Sequence, residues 1–99
     1  GSTGEPKCVE ATHAMALHEV RSYPLVAALT PRDRVLQHTS AFWAASAWGQ
    51  VDIGLAFGAA LCITASGTPG AQLLRDGGVT VLGVAPSILT SLDPAEVPE

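Results

Sequence analysis

Short apolar runs of strand type alternate with stretches of helical spacing along the chain. The strand-type runs are residues 34–39 (RVLQHT), 60–64 (ALCIT) and 79–84 (VTVLGV). Each run is bounded by turn-forming residues, which is typical of strands buried in a sheet. The segments between the runs are too long for hairpins. We therefore expect right-handed βαβ crossovers and a parallel sheet with helices between its strands.

Local signals predict where the helices begin and end. The first helix should begin after Thr12, whose hydroxyl can cap a helix N-terminus, and should kink or end at Pro24. Gly58 and the pair Gly77-Gly78 stand where a glycine commonly ends a helix. The two helices that these glycines end cover residues 45–57 and 71–76, and a further short helix covers residues 86–92.

The helix over residues 45–57 is predicted to bury an apolar face. The residues of that face are Ala45, Trp48, Ile53, Leu55 and Ala56. An aromatic cluster enters the same helix, and it consists of Phe42, Trp43 and Trp48. Core packing is one interpretation of this cluster, and a role in lining a ligand pocket is the other.

Composition narrows the class of protein. The chain has 99 residues, of which 47% are apolar and 14% charged. Ordinary soluble domains carry about 25% charged residues, so part of the apolar surface here is expected to face other segments of a longer chain. The formal net charge of −4, without a stripe of basic and aromatic residues, argues against nucleic-acid binding.

Cysteine, histidine and hydropathy patterns exclude further classes. Cys8 and Cys62 are too few for a disulfide framework or a zinc cluster, and we interpret them as reduced thiols of a cytoplasmic protein. The three histidines, His13, His18 and His38, do not have zinc-site spacing, so no metal site is expected. The most apolar stretch, residues 53–65, is too short to span a membrane.

The first seven residues, GSTGEPK, have the chemistry of an anion-binding loop. Glycines let backbone N–H groups approach an anion closely, and the hydroxyls and the Lys7 ammonium can complete the site. The sequence is not the phosphate loop of the common nucleotide hydrolases, because Pro6 precedes the lysine and no hydroxyl residue follows it. A flexible surface loop is the alternative interpretation on composition alone.

The order of the motifs resembles the adenylate-forming ligases, the family of acyl-CoA ligases, luciferases and peptide-synthetase adenylation domains. GSTGEPKC followed by VEATH is similar to the signature loop of that family. RVLQHTSAFWAASAWGQVDIGLAFGAALCI and GGVTVLGVAPSILTSLDP resemble its later segments, in the family's order over the whole chain. The context of Gln37 and Ser46 favours the nonribosomal peptide synthetase branch.

The resemblance implies a three-layer, flavodoxin-like parallel-sheet subdomain and an ATP site. Ser2, Thr3, Gly4 and Lys7 would contact the ATP phosphates, and Mg²⁺ would arrive with the nucleotide. Cys8 stands where the family has a glycine, which puts the competence of the loop in question. Residues 1–99 are expected to be a partial adenylation domain, from the phosphate loop through part of the acyl-pocket subdomain. No catalytic residue is assigned, and the fragment alone is expected to be inactive.

The resemblance also implies an acid-binding pocket. Its expected residues are Ala44, Ala45, Trp48 and Gly83. Amino-acid-activating members place an aspartate at the position of Ala44, where it pairs with the substrate's α-ammonium. Alanine there predicts an acid without a free α-amine, such as a hydroxy, keto or aryl acid.

The predicted function is ATP-dependent activation of a carboxylic acid as an acyl-adenylate, for transfer to a carrier-protein thiol. The expected partners are the acid, the remainder of the adenylation domain and a carrier protein with a phosphopantetheine arm. One alternative is a fragment of an acyl-CoA ligase. Another is a catalytically inactive folding module that binds no nucleotide.

Overall fold

The computed structural model describes residues 4–65 and 69–97. Helix α1 spans His13–Ser22 and is followed by a 3₁₀ turn at Tyr23–Leu25. Strands β1, β2 and β3 span Arg34–Gln37, Ala60–Ile63 and Val81–Leu82. Between β1 and β2 one continuous helix consists of α2 (Ala44–Ser46), a π segment (Ala47–Asp52) and α3 (Ile53–Ala56). Helices α4 and α5 span Ala71–Gly77 and Pro86–Leu89.

The three strands form one parallel sheet in the order β2-β1-β3. Leu36 on the central strand β1 lies opposite Cys62 of β2 and Leu82 of β3. The parallel pairing and the alternation of strands with helices confirm the α/β fold predicted from the sequence. Strand β3 is shorter than predicted, although the backbone N–H of Thr80 still donates to the carbonyl of Arg34 at 3.0 Å.

Helices cover both faces of the sheet, which gives three layers. On one face Val35 and Leu61 approach Gly54 of α3, and on the other the Cys62 Sγ donates to the Gly77 carbonyl of α4 at 3.6 Å. Neighbouring strand residues point to opposite faces, which explains why Leu61 and Cys62 meet different helices. The chain passes from β1 to β2 through α3 and then back past β1 to β3 through α4. Two right-handed crossovers in opposite directions place their helices on opposite faces of the sheet.

The fully buried apolar core is small and lies at the centre of these layers. Its members are Val35, Leu36, Ile53, Ala59, Ala71 and Leu74. Helix α1 packs on the π segment and α3 but contains no fully buried residue. The sheet and the two helices that sandwich it are therefore the stable part of the described chain.

Three of the predicted helix-end signals have the expected geometry. The Thr12 hydroxyl accepts a hydrogen bond from the Met15 backbone N–H at 3.3 Å and caps α1. Gly58 and Gly78 have φ angles of 68° and 56°, a left-handed conformation that is unfavourable for residues with a Cβ. Each glycine ends a helix and turns the chain into the next strand.

The buried face predicted for the helix over residues 45–57 is largely wrong. Ile53 is buried as predicted, but Leu55 is 64% exposed and Ala45 and Ala56 are exposed. The buried positions include Ser46 and Gln50 instead. Ile53 and Gly54 lie seven and eight residues after Ser46, and Gln50 lies four after it, so these buried residues share one helical face that packs on the sheet in place of the predicted one.

Asp33 joins the N-terminal ends of β1 and β3. Its Oδ2 accepts from the Thr30 backbone N–H at 2.7 Å and from the Thr30 hydroxyl at 2.9 Å. Its Oδ1 accepts from the Thr80 hydroxyl at 2.8 Å, and that hydroxyl in turn accepts from the Arg34 backbone N–H at 2.9 Å. The Thr30 backbone bond, followed by the Thr80 and Thr30 hydroxyls, lowers the pKa of Asp33 below its usual 3.8.

Asp33 should therefore make folding stability depend on acid pH. Because its pKa is lower in the folded chain than in the unfolded chain, its contribution is complete above about pH 5 and is lost as pH falls through the unfolded and then the folded pKa. We expect Asp33→Asn to flatten the fall of the urea midpoint between about pH 5 and pH 2. Asp76→Asn, on the exposed last turn of α4, is the matched control and should leave the profile close to wild type. Parallel profiles for wild type and Asp33→Asn would contradict this role.

Candidate functional site

A cavity of about 1040 Å³ opens at the carboxyl ends of the three strands. Residues 37–40 after β1, residues 64 and 65 after β2, and residues 83–85 after β3 all contribute to its wall. Ligands of open parallel sheets bind in this place, at the point where the strand order reverses. Here the chain crosses from β2 past β1 to β3, so the reversal occurs at β1. We call this space the carboxyl-end cavity.

Most of the exposed area of the described wall of the carboxyl-end cavity is apolar. The wall residues not yet named are Tyr23, Ala41, Trp43, Ala45, Gly49, Gln50 and Ile88. No aspartate, glutamate, lysine or arginine belongs to the described wall. The cavity is therefore suited to a largely apolar group oriented by a few neutral hydrogen bonds.

One side of the cavity carries a connected set of buried polar groups. Gln37, His38, Ser46 and Gln50 are 9%, 3%, 0% and 3% exposed. The Gln37 amide donates to the Ser46 Oγ at 3.1 Å, and the Ser46 Oγ lies 3.3 Å from the Gln50 Oε1. The Gln50 amide donates to the Gly83 carbonyl at 2.8 Å. This chain of bonds links the helix after β1 to the loop after β3.

His38 reaches the same carbonyl. Its Nε2 lies 3.0 Å from the Gly83 oxygen, and a carbonyl can only accept, so Nε2 carries the proton. The Gly83 carbonyl thus accepts from two side chains at once. The backbone at the carboxyl end of β3 is held by Gln50 on one side and by His38 on the other.

The four residues predicted for an acid pocket divide into two pairs. Ala45 and Gly83 line the carboxyl-end cavity, whereas Ala44 and Trp48 do not belong to its described wall. Trp43 lines the cavity, with its ring centroid 6.0 Å from that of Phe42. Phe42 is 84% exposed and Trp43 is 55% exposed, so core packing is the wrong interpretation for these two rings.

The predicted phosphate loop is described only in part. Ser2 and Thr3 lie outside the described residues. Gly4 has open space where a Cβ would stand, and Lys7 and Cys8 are exposed. An open glycine backbone beside an exposed ammonium fits the donor set that a phosphate group needs. The exposed Cys8 side chain does not pack into the described fold.

Gln50 was not predicted as a wall residue, and His38 was placed only in the strand-type run 34–39. The predicted buried face of the helix contained apolar residues only, which excluded Gln50 from it. A signal was nevertheless present, since Ser46 and Gln50 are polar residues four apart in an otherwise apolar stretch. Polar residues that recur at helical spacing can hydrogen-bond to each other when they are buried.

A comparison with protein-family models decides the family. The model described as AMP-binding enzyme matches residues 1–99 of this chain. The chain belongs to the AMP-binding enzyme family. No curated protein and no solved structure matches it. Membership confirms the adenylate-forming resemblance at the level of the superfamily, and it implies use of ATP and an acid substrate.

Three further observations concern the described residues of this AMP-binding chain. A smaller groove of about 400 Å³ lies between α1 and α3, lined by His13, Leu17, Asp52, Leu55 and three neighbours. Within the described ranges no cluster of three or more potential metal ligands occurs. No helix in the part of the chain that the structure describes has both the length and the apolar character to cross a membrane.

Proposed function

We propose that this chain contributes the acid-binding cavity and the phosphate loop of an ATP-dependent adenylation domain. The carboxylic acid would occupy the carboxyl-end cavity with its apolar part between Trp43 and Ile88. Ala45 and Gly83 would contact it directly, and Ala44 and Trp48 would support the helix that carries Ala45. The chain would act as one part of a larger adenylation domain.

The proposal rests on the position of the cavity in a chain of this family. A cavity of about 1040 Å³ lies at the carboxyl ends of three parallel strands in a chain that belongs to the AMP-binding enzymes. Most of the exposed area of its described wall is apolar, no aspartate, glutamate, lysine or arginine belongs to that wall, and the buried wall residues Gln37, His38 and Gln50 are hydrogen-bonded. This is the composition expected of a site that binds the hydrocarbon part of an organic acid.

ATP fits the residues proposed to hold it. Ser2, Thr3, Gly4 and Lys7 offer hydroxyls, an open backbone and an ammonium, which together suit a polyphosphate. ATP, accompanied by Mg²⁺, would supply the adenylyl group that the acid's carboxylate takes up, with pyrophosphate as the leaving group. The Lys7 ammonium would balance negative charge on the phosphates, and the cavity would hold the acid so that its carboxylate points out of the apolar wall.

The acceptor that we propose is the thiol of a phosphopantetheine arm on a carrier protein. The resemblance to peptide synthetases rests on Gln37 and Ser46, and the hydrogen bond between these residues makes them one structural unit beside the cavity. Transfer to coenzyme A is the alternative, and it uses the same thiol chemistry. Supplying each acceptor in turn to the acyl-adenylate distinguishes the two.

Acid-dependent exchange of pyrophosphate into ATP tests the proposal. In the full-length protein that contains this chain we expect exchange to require both a carboxylic acid and Mg²⁺. Lys7→Met should lower the exchange rate about a hundredfold, because one preorganised charge on the phosphates is lost. Arg21→Met, which removes an exposed charge from the last turn of α1, should leave the rate unchanged. Exchange that no acid stimulates would contradict the proposal and favour an inactive folding module.

A further inference from the structure

The orientation of the Gln50 amide follows from its partners. The Gly83 carbonyl can only accept, so the atom 2.8 Å from it is the Gln50 NH₂ group, and Oε1 faces the Ser46 hydroxyl. The side chain is 3% exposed and also lines the carboxyl-end cavity. Gln50 is thus a buried amide whose rotation is prevented at both ends.

The hydrogen-bond capacity of this amide is not exhausted. The Ser46 hydroxyl has one proton but lies 3.1 Å from the Thr39 carbonyl and 3.3 Å from the Gln50 Oε1, so it can serve only one of them at a time. The Gln50 NH₂ group has two protons, and the Gly83 carbonyl takes one. Among the described residues Gln50 has no other hydrogen-bond partner than Ser46 and Gly83. One N–H and at least one Oε1 lone pair remain for a group in the cavity.

We propose that Gln50 is a specificity-determining residue that selects acids carrying a hydroxyl group in the part that enters the carboxyl-end cavity. A hydroxyl can accept from the remaining N–H or donate to Oε1, and it suits the amide in either direction. This inference rests on the proposed acid-binding function and names the class of acid within it. The neighbouring wall residues Gln37 and His38 already bond to the Ser46 hydroxyl and to the Gly83 carbonyl. The remaining N–H and Oε1 lone pair of Gln50 are therefore the groups proposed to distinguish a hydroxylated acid from its hydrocarbon parent.

The discrimination has a physical basis in the unmet hydrogen bond. A hydrocarbon acid that fills the cavity would shield the remaining N–H and Oε1 lone pair of Gln50 from water without offering them a hydrogen bond, which is unfavourable. A hydroxylated acid of the same shape restores the bond. One hydrogen bond of ordinary net strength corresponds to a preference of about tenfold in binding.

A matched series of four acids tests the inference. The probes are 3-phenylpropanoate and its 2-, 3- and 4-hydroxyphenyl counterparts, which share one carboxylate and one ring. Titration calorimetry with the full-length protein that contains this chain gives the dissociation constants. We expect one hydroxylated isomer to bind about tenfold more tightly than the parent acid. Gln50→Leu should reduce that ratio to about one, while Gln72→Leu on the exposed face of α4 should preserve it.

A second measurement does not depend on whether Gln50→Leu folds. In wild-type protein labelled with ¹⁵N at glutamine side chains, the preferred isomer should shift the Gln50 amide protons more than the parent acid does. The Gln72 amide, which bonds to Asp76 on the surface of α4, should not move and serves as the internal reference.

The possible results distinguish a failure of this inference from a failure of the proposed function. Equal affinity for all four acids, a preference that survives Gln50→Leu, or an unmoved Gln50 amide would overturn the inference and leave acid binding intact. Absence of binding by every acid, together with acid-independent exchange, would overturn the proposed function and the inference with it.

Discussion

Replacing Leu36 with alanine should remove a large part of the chain's folding stability. Leu36 is 1% exposed on the central strand and lies opposite Cys62 and Leu82 on the sheet face covered by α4. Deleting a buried leucine side chain in this setting typically lowers the free energy of unfolding by about 2–5 kcal/mol. Single domains have only about 5–15 kcal/mol in total, and the fully buried apolar core here is small.

Urea unfolding followed by circular dichroism measures this effect. Leu25→Ala is the matched control, because Leu25 is 87% exposed in the turn after α1 and its truncation should change stability by less than about 0.5 kcal/mol. Equal losses in the two variants would mean that β1 is not the centre of the core. A large loss only in Leu36→Ala would support the three-layer arrangement.

The elements of the fold that local chemistry controls could be predicted from the sequence. Thr12 caps α1, and Gly58 and Gly78 end helices, because each of these signals acts within one turn of chain. The parallel pairing also followed from the sequence, since connections of this length exclude hairpins. The position of the cavity was predictable once the sheet was expected to be parallel, because ligands of open parallel sheets bind at the carboxyl ends of the strands.

The wall chemistry of the cavity could not be predicted in the same way. It depends on a helix face on which the polar residues Ser46 and Gln50 are buried, while Leu55 on another face is 64% exposed. A pattern of apolar residues cannot identify such a face, because its polar members give no hydrophobic signal. Gln50 can be buried because Ser46 and Gly83 hydrogen-bond to the two ends of its amide, and these contacts arise only in the folded chain.

Acids without an α-amine should bind far better than the corresponding α-amino acids. The described wall of the carboxyl-end cavity contains no aspartate or glutamate, so an ammonium buried there would have no carboxylate partner among these residues. An unpaired buried charge is unfavourable by several kcal/mol. Even about 3 kcal/mol corresponds to more than a hundredfold in affinity. Phenylalanine and 3-phenylpropanoate, which differ only in the α-amine, are the pair whose dissociation constants test this expectation.

Two aspartate variants locate the position from which an ammonium could be bound. The family resemblance predicts that Ala44→Asp restores preference for the amino acid, whereas the geometry favours Ala45→Asp, because Ala45 lines the cavity and Ala44 does not. We expect Ala45→Asp to strengthen the binding of phenylalanine relative to 3-phenylpropanoate about a hundredfold. Ala44→Asp should change this relative affinity by less than about threefold. Both alanines are exposed near the start of the same helix, so each variant controls for the effect of the other on folding.

A shift produced by Ala44→Asp alone would mean that Ala44 faces the acid when it binds. Wild-type preference for phenylalanine over 3-phenylpropanoate would instead show that a carboxylate outside the described wall reaches the cavity.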